Sequence, residues 1–365
     1  MKKQHFVKLS LAAAAVVGTL AGGNAMADVT VFGVADAGVI QSKAASTGAT
    51  SSTAFSSGNM TTSAFGVKGT EDLGGGLSAN FALSSFLDLS KGSYLGGNLF
   101  ARDAWVSLAS KQYGALSMGR DVNPSFLPTI IFNAYGDSVA FSPLWHATYF
   151  DYVGRSVYAS GGNYYGQSAS NGLYDDTAWN GQFRYSTPDM GGVKADLMYA
   201  PNSTSGDNFG GNVMYFNGPV GLSAYYMSTQ THSTGSTENN IYGTTGGKAS
   251  TAYFVGGSYD LGMAKVFATY QTAKQSSTGI EATTYHMSSQ IPYGPGKVLL
   301  SYANTVYKNG STTTFNDMTS TQTAVGYSLP LSKSTDVYAS YLYATEKDTA
   351  SRTGSAFGAG IRKFF

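Results

Sequence analysis

The sequence predicts an all-β fold, a transmembrane antiparallel β-barrel of about 16 strands, and three observations carry that prediction. Apolar and polar residues alternate with period two in segments of roughly ten residues. The connections between those segments alternate between very short and long. The composition is poor in charge and rich in rings: 12% charged residues beside 46 Gly, 26 Tyr and 20 Phe, where soluble domains carry about 25% charged residues. A wall that meets lipid on one side needs few charges and places Tyr and Phe at the membrane interface.

The elements follow in chain order. Lys2, Lys3 and Lys8 precede a short apolar run from Leu9 to Leu20, and Ala25-Met26-Ala27 supplies a small-x-small cleavage site. Residues 1–27 are therefore expected to be a signal peptide, with Asp28 the first mature residue. An N-terminal anchor helix is the competing reading, and the apolar run is short for it. Loss of the signal leaves 19 basic against 21 acidic residues, a balance that argues against nucleic acid as a partner. The chain contains no cysteine, so disulfides and thiolate metal sites play no part in the fold.

From Asp28 a single barrel domain, residues 28–365, is expected. Val193, Ala195, Leu197 and Tyr199 share one parity while Lys194, Asp196 and Met198 take the other. Ala264, Val266, Ala268 and Tyr270 repeat the pattern, as do Val298, Leu300, Tyr302 and Val306, and again Val337, Ala339, Tyr341 and Tyr343. Successive side chains of a strand point to opposite faces, so each segment has one apolar and one polar or small face. Strands are expected near 28–41, 62–72, 76–88, 99–109, 114–121, 178–187, 192–201 and 208–217. The remainder are expected near 219–229, 250–260, 263–273, 282–291, 297–307, 320–329, 335–345 and 355–365. Short connections (Leu73–Gly76, Ser110–Gly114, Pro188–Gly191, Asn217–Pro219, Asp260–Gly262) interleave with long ones (Ser42–Met60, Thr231–Lys248, Lys308–Thr319). Membrane barrels have short periplasmic turns and longer outer loops. Tyr199, Tyr226, Tyr259, Tyr270 and Tyr343 are expected to form aromatic girdles at the ends of the apolar face.

One connection, residues 122–177, far exceeds the others. It holds Phe126, Phe132, Tyr135, Phe141, Trp145 and Phe150, too many rings for a disordered segment. Two placements suit it: folded into the lumen, where it narrows the channel, or packed outside over a neighbouring subunit or the barrel rim. Rings lining a lumen would make a slide for sugars or aromatic solutes; rings in a long loop also serve to pack it.

Several segments resemble a known family. Asp28-Val-Thr-Val-Phe-Gly-Val-Ala-Asp-Ala-Gly38 is similar to the opening strand of the general trimeric porins of β-proteobacteria, within the Gram-negative porin family. Phe65-Gly-Val-Lys-Gly-Thr-Glu-Asp-Leu-Gly-Gly-Gly-Leu77 resembles that family's second strand and turn. Arg102-Asp-Ala-Trp-Val-Ser-Leu108 and Leu116-Ser-Met-Gly-Arg-Asp121 resemble its fourth and fifth strands, and Phe132-Asn-Ala-Tyr-Gly-Asp137 a piece of its third loop. Phe357-Gly-Ala-Gly-Ile-Arg-Lys-Phe-Phe365 resembles the terminal strand, ending in Phe365, that outer-membrane barrel assembly machinery reads. Two departures stand out: Ser63-Ala64 replaces a pair that usually bears Arg or Trp, and the third loop is long and poor in acids.

The resemblance implies a homotrimer in the bacterial outer membrane, surrounded by lipid and lipopolysaccharide, with the third loop folded into each lumen. It implies a basic wall cluster, for which Arg102, Arg120, Lys68 and Arg184 are the candidates, facing acids Asp121, Asp137 and Asp151. For each charge the plainer role is an ion pair that ties down the loop or the trimer. The expected function is passive diffusion of small hydrophilic solutes and ions through a water-filled channel. A substrate-selective channel and a non-conducting adhesin barrel are the alternatives. The sequence shows no nucleophile elbow, phosphate loop or metal-ligand spacing, and His146, His232 and His286 lie far apart. No catalytic residue, cofactor or metal is expected.

Overall fold

The computed structural model describes residues 28–45, 48–95, 97–150, 177–201, 206–230, 249–275, 279, 281–308 and 317–365. Residues 1–27 and Asp151 lie outside these, so the signal peptide and that candidate acid have no structural account here.

Eighteen strands join into one antiparallel sheet. In the first part of the chain these are β1 (Asp28–Lys43), β2 (Ser52–Ser57), β3 (Ala64–Gly74), β4 (Leu77–Asp88) and β5 (Ser93–Tyr94). After them come β6 (Asp103–Ser110), β7 (Gly114–Val122), β8 (Ala178–Ser186), β9 (Val193–Ala200), β10 (Asn208–Asn217) and β11 (Val220–Gln230). The last seven are β12 (Ala249–Asp260), β13 (Lys265–Gln275), β14 (Glu281–Tyr293), β15 (Gly296–Lys308), β16 (Met318–Ser332), β17 (Thr335–Lys347) and β18 (Ser351–Phe364). The sheet closes where β1 meets β18, from Val34 opposite Phe364 to Lys43 opposite Ser355. Closure gives each of the 16 long strands a partner on both sides, which a strand wall in lipid requires. Apart from the short β2 and β5, 16 strands make up the barrel.

β2 corrects the sequence reading, which placed Ser42–Met60 wholly in a loop. Its Ser/Thr run carries little apolar signal, yet its backbone pairs with the far half of β1, Ala37 opposite Ser57 through Ser42 opposite Ser52. β3 pairs with the near half of β1, Asp28 opposite Thr70 through Val34 opposite Ala64. Residues 58–63 leave the sheet between the two as a short excursion.

The alternation separates two environments. Val106, Leu108, Leu116, Met118, Leu197, Leu222, Val255 and Phe357 are exposed on the outer parity. Asp196, Asn212, Ser223, Gln271, Thr284, Ser301, Gln322 and Ser340, on the other parity, are buried and face the barrel interior. Polar side chains inside and apolar ones outside invert the soluble pattern, as expected where lipid is the outer solvent. Tyr199, Tyr259 and Tyr343 are exposed on the outer parity, as a girdle requires. Tyr226 and Tyr270 sit nearer mid-strand, each against a ring of the next strand, with Tyr253 and Tyr285 at 5.0 and 5.3 Å. Both chain ends described here lie at the end of the barrel that carries the short turns.

Candidate functional site: the long loop and the charged wall

The described part of the long connection is ordered by its own polar residues. Asn123 Oδ1 accepts from Ser125 N at 3.1 Å and from Ser125 Oγ at 2.8 Å, which starts helix α1 (Phe126–Ile131). Asn133 Nδ2 donates to Gly136 O and Ser142 Oγ, at 2.9 and 2.6 Å. Ser142 caps a second helical turn, α2 (Pro143–Trp145), by accepting from Trp145 N, and Pro143 holds its first position. A π-turn over His146–Phe150 continues it.

This segment bonds to the interior-facing parity of many strands. Ala134 N donates to Ser288 Oγ at 3.0 Å, and Ala134 O accepts from Gln290 Nε2 at 2.8 Å. His146 meets the Gln322 amide and Val139 O, each at 2.8 Å. Burial of the ring pushes its pKa down. Thr148 Oγ1 donates to Gln271 Oε1 at 3.1 Å, and Asn212 Nδ2 to Pro124 O at 3.3 Å. Apolar contacts run alongside: Phe132 and Trp145 join a cluster with Tyr225, Phe254 and Tyr307, while Tyr135 and Phe141 join Phe267, Leu299 and Leu342. Glycines make room for the rings. A Cβ on Gly326 would stand 2.8 Å from Tyr135 Oη, and one on Gly358 would stand 2.9 Å from Phe141 Cζ. Phe132, Tyr135, Phe141 and Trp145 are all buried. These rings pack the loop, so they offer no exposed slide for a solute.

A second anchor is the 58–63 excursion. Asp36, fully buried in β1, accepts from Met60 N at 2.7 Å, Thr61 N at 2.8 Å and Tyr338 Oη at 2.5 Å. So held, the excursion offers Asn59 O to Ser138 Oγ and Ala140 N, at 2.7 and 3.2 Å. Thr61 Oγ1 donates to Asp137 Oδ1 at 3.0 Å.

Asp137 is the loop carboxylate nearest this network. Burial pushes its pKa up, while the Thr61 hydroxyl and the Arg362 and Arg102 charges pull it down. The Arg102 and Arg362 charges thus both act on this carboxyl from the wall. The Arg102 guanidinium also holds Asp103 Oδ2 at 2.7 Å and Ser84 Oγ at 3.3 Å.

The other candidates separate. Asp121 belongs to β7, not to the loop. It shares Arg184 with Asp196, the guanidinium reaching them at 3.1 and 2.9 Å. Both carboxylates hold the guanidinium within the wall, so Arg184 and Asp121 stand on the same side of the lumen. Arg120 donates to Ala101 O and Asn180 Oδ1 at 2.5 and 2.7 Å. It shares the parity of Leu116 and Met118, opposite Ala104, and so leaves the wall on the outer side. Lys68 does face the interior, 5.3 Å over the Phe32 ring.

A closed barrel of this strand number, apolar outside and polar inside with one long packed loop, has a known counterpart. The family model described as Gram-negative porin matches residues 11–349. The chain belongs to the Gram-negative porin family. This porin is 28% identical over 361 residues to outer membrane porin protein 32 of Delftia acidovorans, covering 94% of this chain and 91% of that one. It is 32% identical to an outer membrane porin protein of Bordetella pertussis over 129 residues, about a third of each chain. Among solved structures, an anion-selective porin from Comamonas acidovorans superposes with TM-score 0.72 at 25% identity, covering 93% of this chain and 100% of that one. OmpT of Vibrio cholerae in its trimer form superposes with TM-score 0.64 at 16% identity, covering 93% and 99%, a likeness of fold. The porin is an outer-membrane, multi-pass protein whose barrel is a channel for small solutes.

Its terminal residue closes the wall: Phe365 N donates to Gly33 O at 3.1 Å and Gly33 N to Phe365 O at 2.9 Å. The sequence reading missed Asp36 and Arg362, which anchor the excursion, and Lys297 on the interior parity. A charge on the polar parity of a strand was the available signal for each.

Proposed function

We propose that this porin is a diffusion channel whose long loop lies in the lumen as its waist, with a weak preference for anions. The carrying observation is that residues 124–148 bond to interior-facing side chains on β10, β13, β14 and β16. A loop laid outside the rim would leave those groups to water. The preference is supported by the relative described as an anion-selective porin. It is also supported by the local charges: Arg102 and Arg362 stand beside Asp137, whose carboxyl is biased toward its neutral form by burial. Charged walls and pore width set the barriers to solutes in such a channel.

Arg102 and Lys68 are its basic wall residues, and Asp137 its acid. The mature chain starts at Asp28, the barrel assembly machinery reads the strand ending in Phe365, and three copies assemble in a membrane of lipid and lipopolysaccharide. The related OmpT described in a trimer form is in keeping with that assembly. Reversal potential in a potassium chloride gradient tests the reading. A potential on the anion side, moved toward zero by Arg102→Gln, supports it. A cation-side potential, or one indifferent to that substitution, contradicts it.

A further inference from the structure

Interior cations in this wall are held in two ways. Arg102, Arg184 and Arg362 are each bound by a carboxylate, at 2.7, 2.9 and 3.0 Å, which offsets part of their charge toward a passing solute. Lys265 and Lys297 are held without one among the described residues. Lys265 lies 5.3 Å over the Phe267 ring, an interaction that fixes an ammonium group while leaving its charge intact. Lys297 Nζ donates to Gln290 Oε1 at 3.2 Å.

The two lysines flank the same glutamine. Lys265 stands directly opposite Gln290 across β13 and β14, and Lys297 sits on β15 opposite Pro292. The other end of Gln290 donates to Ala134 O of the long loop, and Phe267 packs in the cluster that holds Ala134 and Tyr135. The nearby carboxylates are engaged elsewhere. Asp260, opposite Lys265, caps Gly262 N at 2.8 Å. Asp336 takes two bonds from Arg362 and one from Ser328, each at 3.0 Å. Lys265 and Lys297 stand on one interior face with β14 between them, and like charges so placed repel each other unless an anion joins them.

We infer that Lys265 and Lys297, either side of Gln290 beneath the long loop, form a subsite for small oxyanions such as phosphate or a carboxylate. The inference rests on the lumen reading above and adds a place where the anion pauses. Solutes then meet a saturable step at the short-turn side of the waist instead of free diffusion alone.

Inorganic phosphate is the probe, added during single-channel recording of chloride current through the reconstituted porin. The unaltered channel shows a saturable fall in chloride current as phosphate rises. Lys265→Gln with Lys297→Gln shifts the half-blocking concentration upward by about tenfold or more, the effect of two unit charges acting over a few ångströms in a solvated site. Lys265→Arg with Lys297→Arg keeps the block, because the charges remain. Equal block in the glutamine pair, or no saturation in the unaltered channel, overturns the subsite while leaving the channel reading intact. Absence of conductance, or cation preference in phosphate-free chloride, overturns the channel reading and the subsite with it.

Discussion

Replacing Asp36 with alanine tests how the long loop is fixed. The carboxylate receives three donors, Met60 N, Thr61 N and Tyr338 Oη, at 2.7, 2.8 and 2.5 Å in a site closed to solvent. Alanine orphans all three, and a buried donor left unpaired costs about 1–2 kcal/mol, so the loss is about 3–6 kcal/mol. Excursion 58–63 then loses its hold on the wall, and the loop loses the Asn59 carbonyl that Ser138 and Ala140 use. Asp36→Asn keeps an acceptor for the two amides, and its loss is smaller, about 1–2 kcal/mol. Heat-denaturation midpoints in detergent, read by gel mobility, should fall in the order unaltered, Asn, Ala. Open-channel current noise should rise in the same order. An alanine variant with an unchanged midpoint and a quiet open channel would refute the idea that Asp36 fixes the loop.

Three further outcomes follow from the same geometry. Arg184→Ala leaves Asp121 and Asp196 facing each other with side chains only 11% and 8% exposed, and should destabilise the barrel by about 3–5 kcal/mol; a midpoint within error of the parent would show the ion group to be idle. Gly358→Val puts a side chain where Phe141 Cζ already lies 2.9 Å from the Cβ position, and single-channel conductance should change as the loop is displaced, whereas an identical conductance would place Phe141 away from the waist. Asp137 has a folded pKa raised by burial, so the stability it lends the loop is present in acid and lost as pH rises through that value. As pH falls through that raised value, its charge beside Arg102 and Arg362 disappears and anion preference should grow; Asp137→Asn should flatten that dependence, and a profile with the same slope in both would assign it to another group.

Much of the fold was legible because period-two alternation is a direct consequence of a two-sided wall. β10 and the limits of the long connection lie where the sequence put them. β2 was not legible, because its Ser/Thr run carries little apolar signal and owes its place to backbone pairing with β1. The site was harder. Arg102 and Asp137 could be named from resemblance, yet Arg184 and Asp121 were assigned to opposite sides of the lumen although they bond to one another. One-dimensional spacing cannot show that β7 and β8, separated by more than fifty residues of loop, lie side by side. Nor can composition reveal that Gly326 and Gly358 are notches for Tyr135 and Phe141, since the close approach exists only after the loop has packed.

The chain's lack of cysteine permits a direct test of which side of the wall meets water. Single cysteines introduced at Lys68, Asn80 and Lys194, on the interior parity, should react with a charged, membrane-impermeant thiol reagent when the barrel is in lipid vesicles. Cysteines at Val106, Leu197 and Val255, on the outer parity, should stay unreacted under the same conditions. Equal labelling of both sets, or labelling of the outer set alone, would contradict a water-filled interior and end the account of this wall as the lining of a channel.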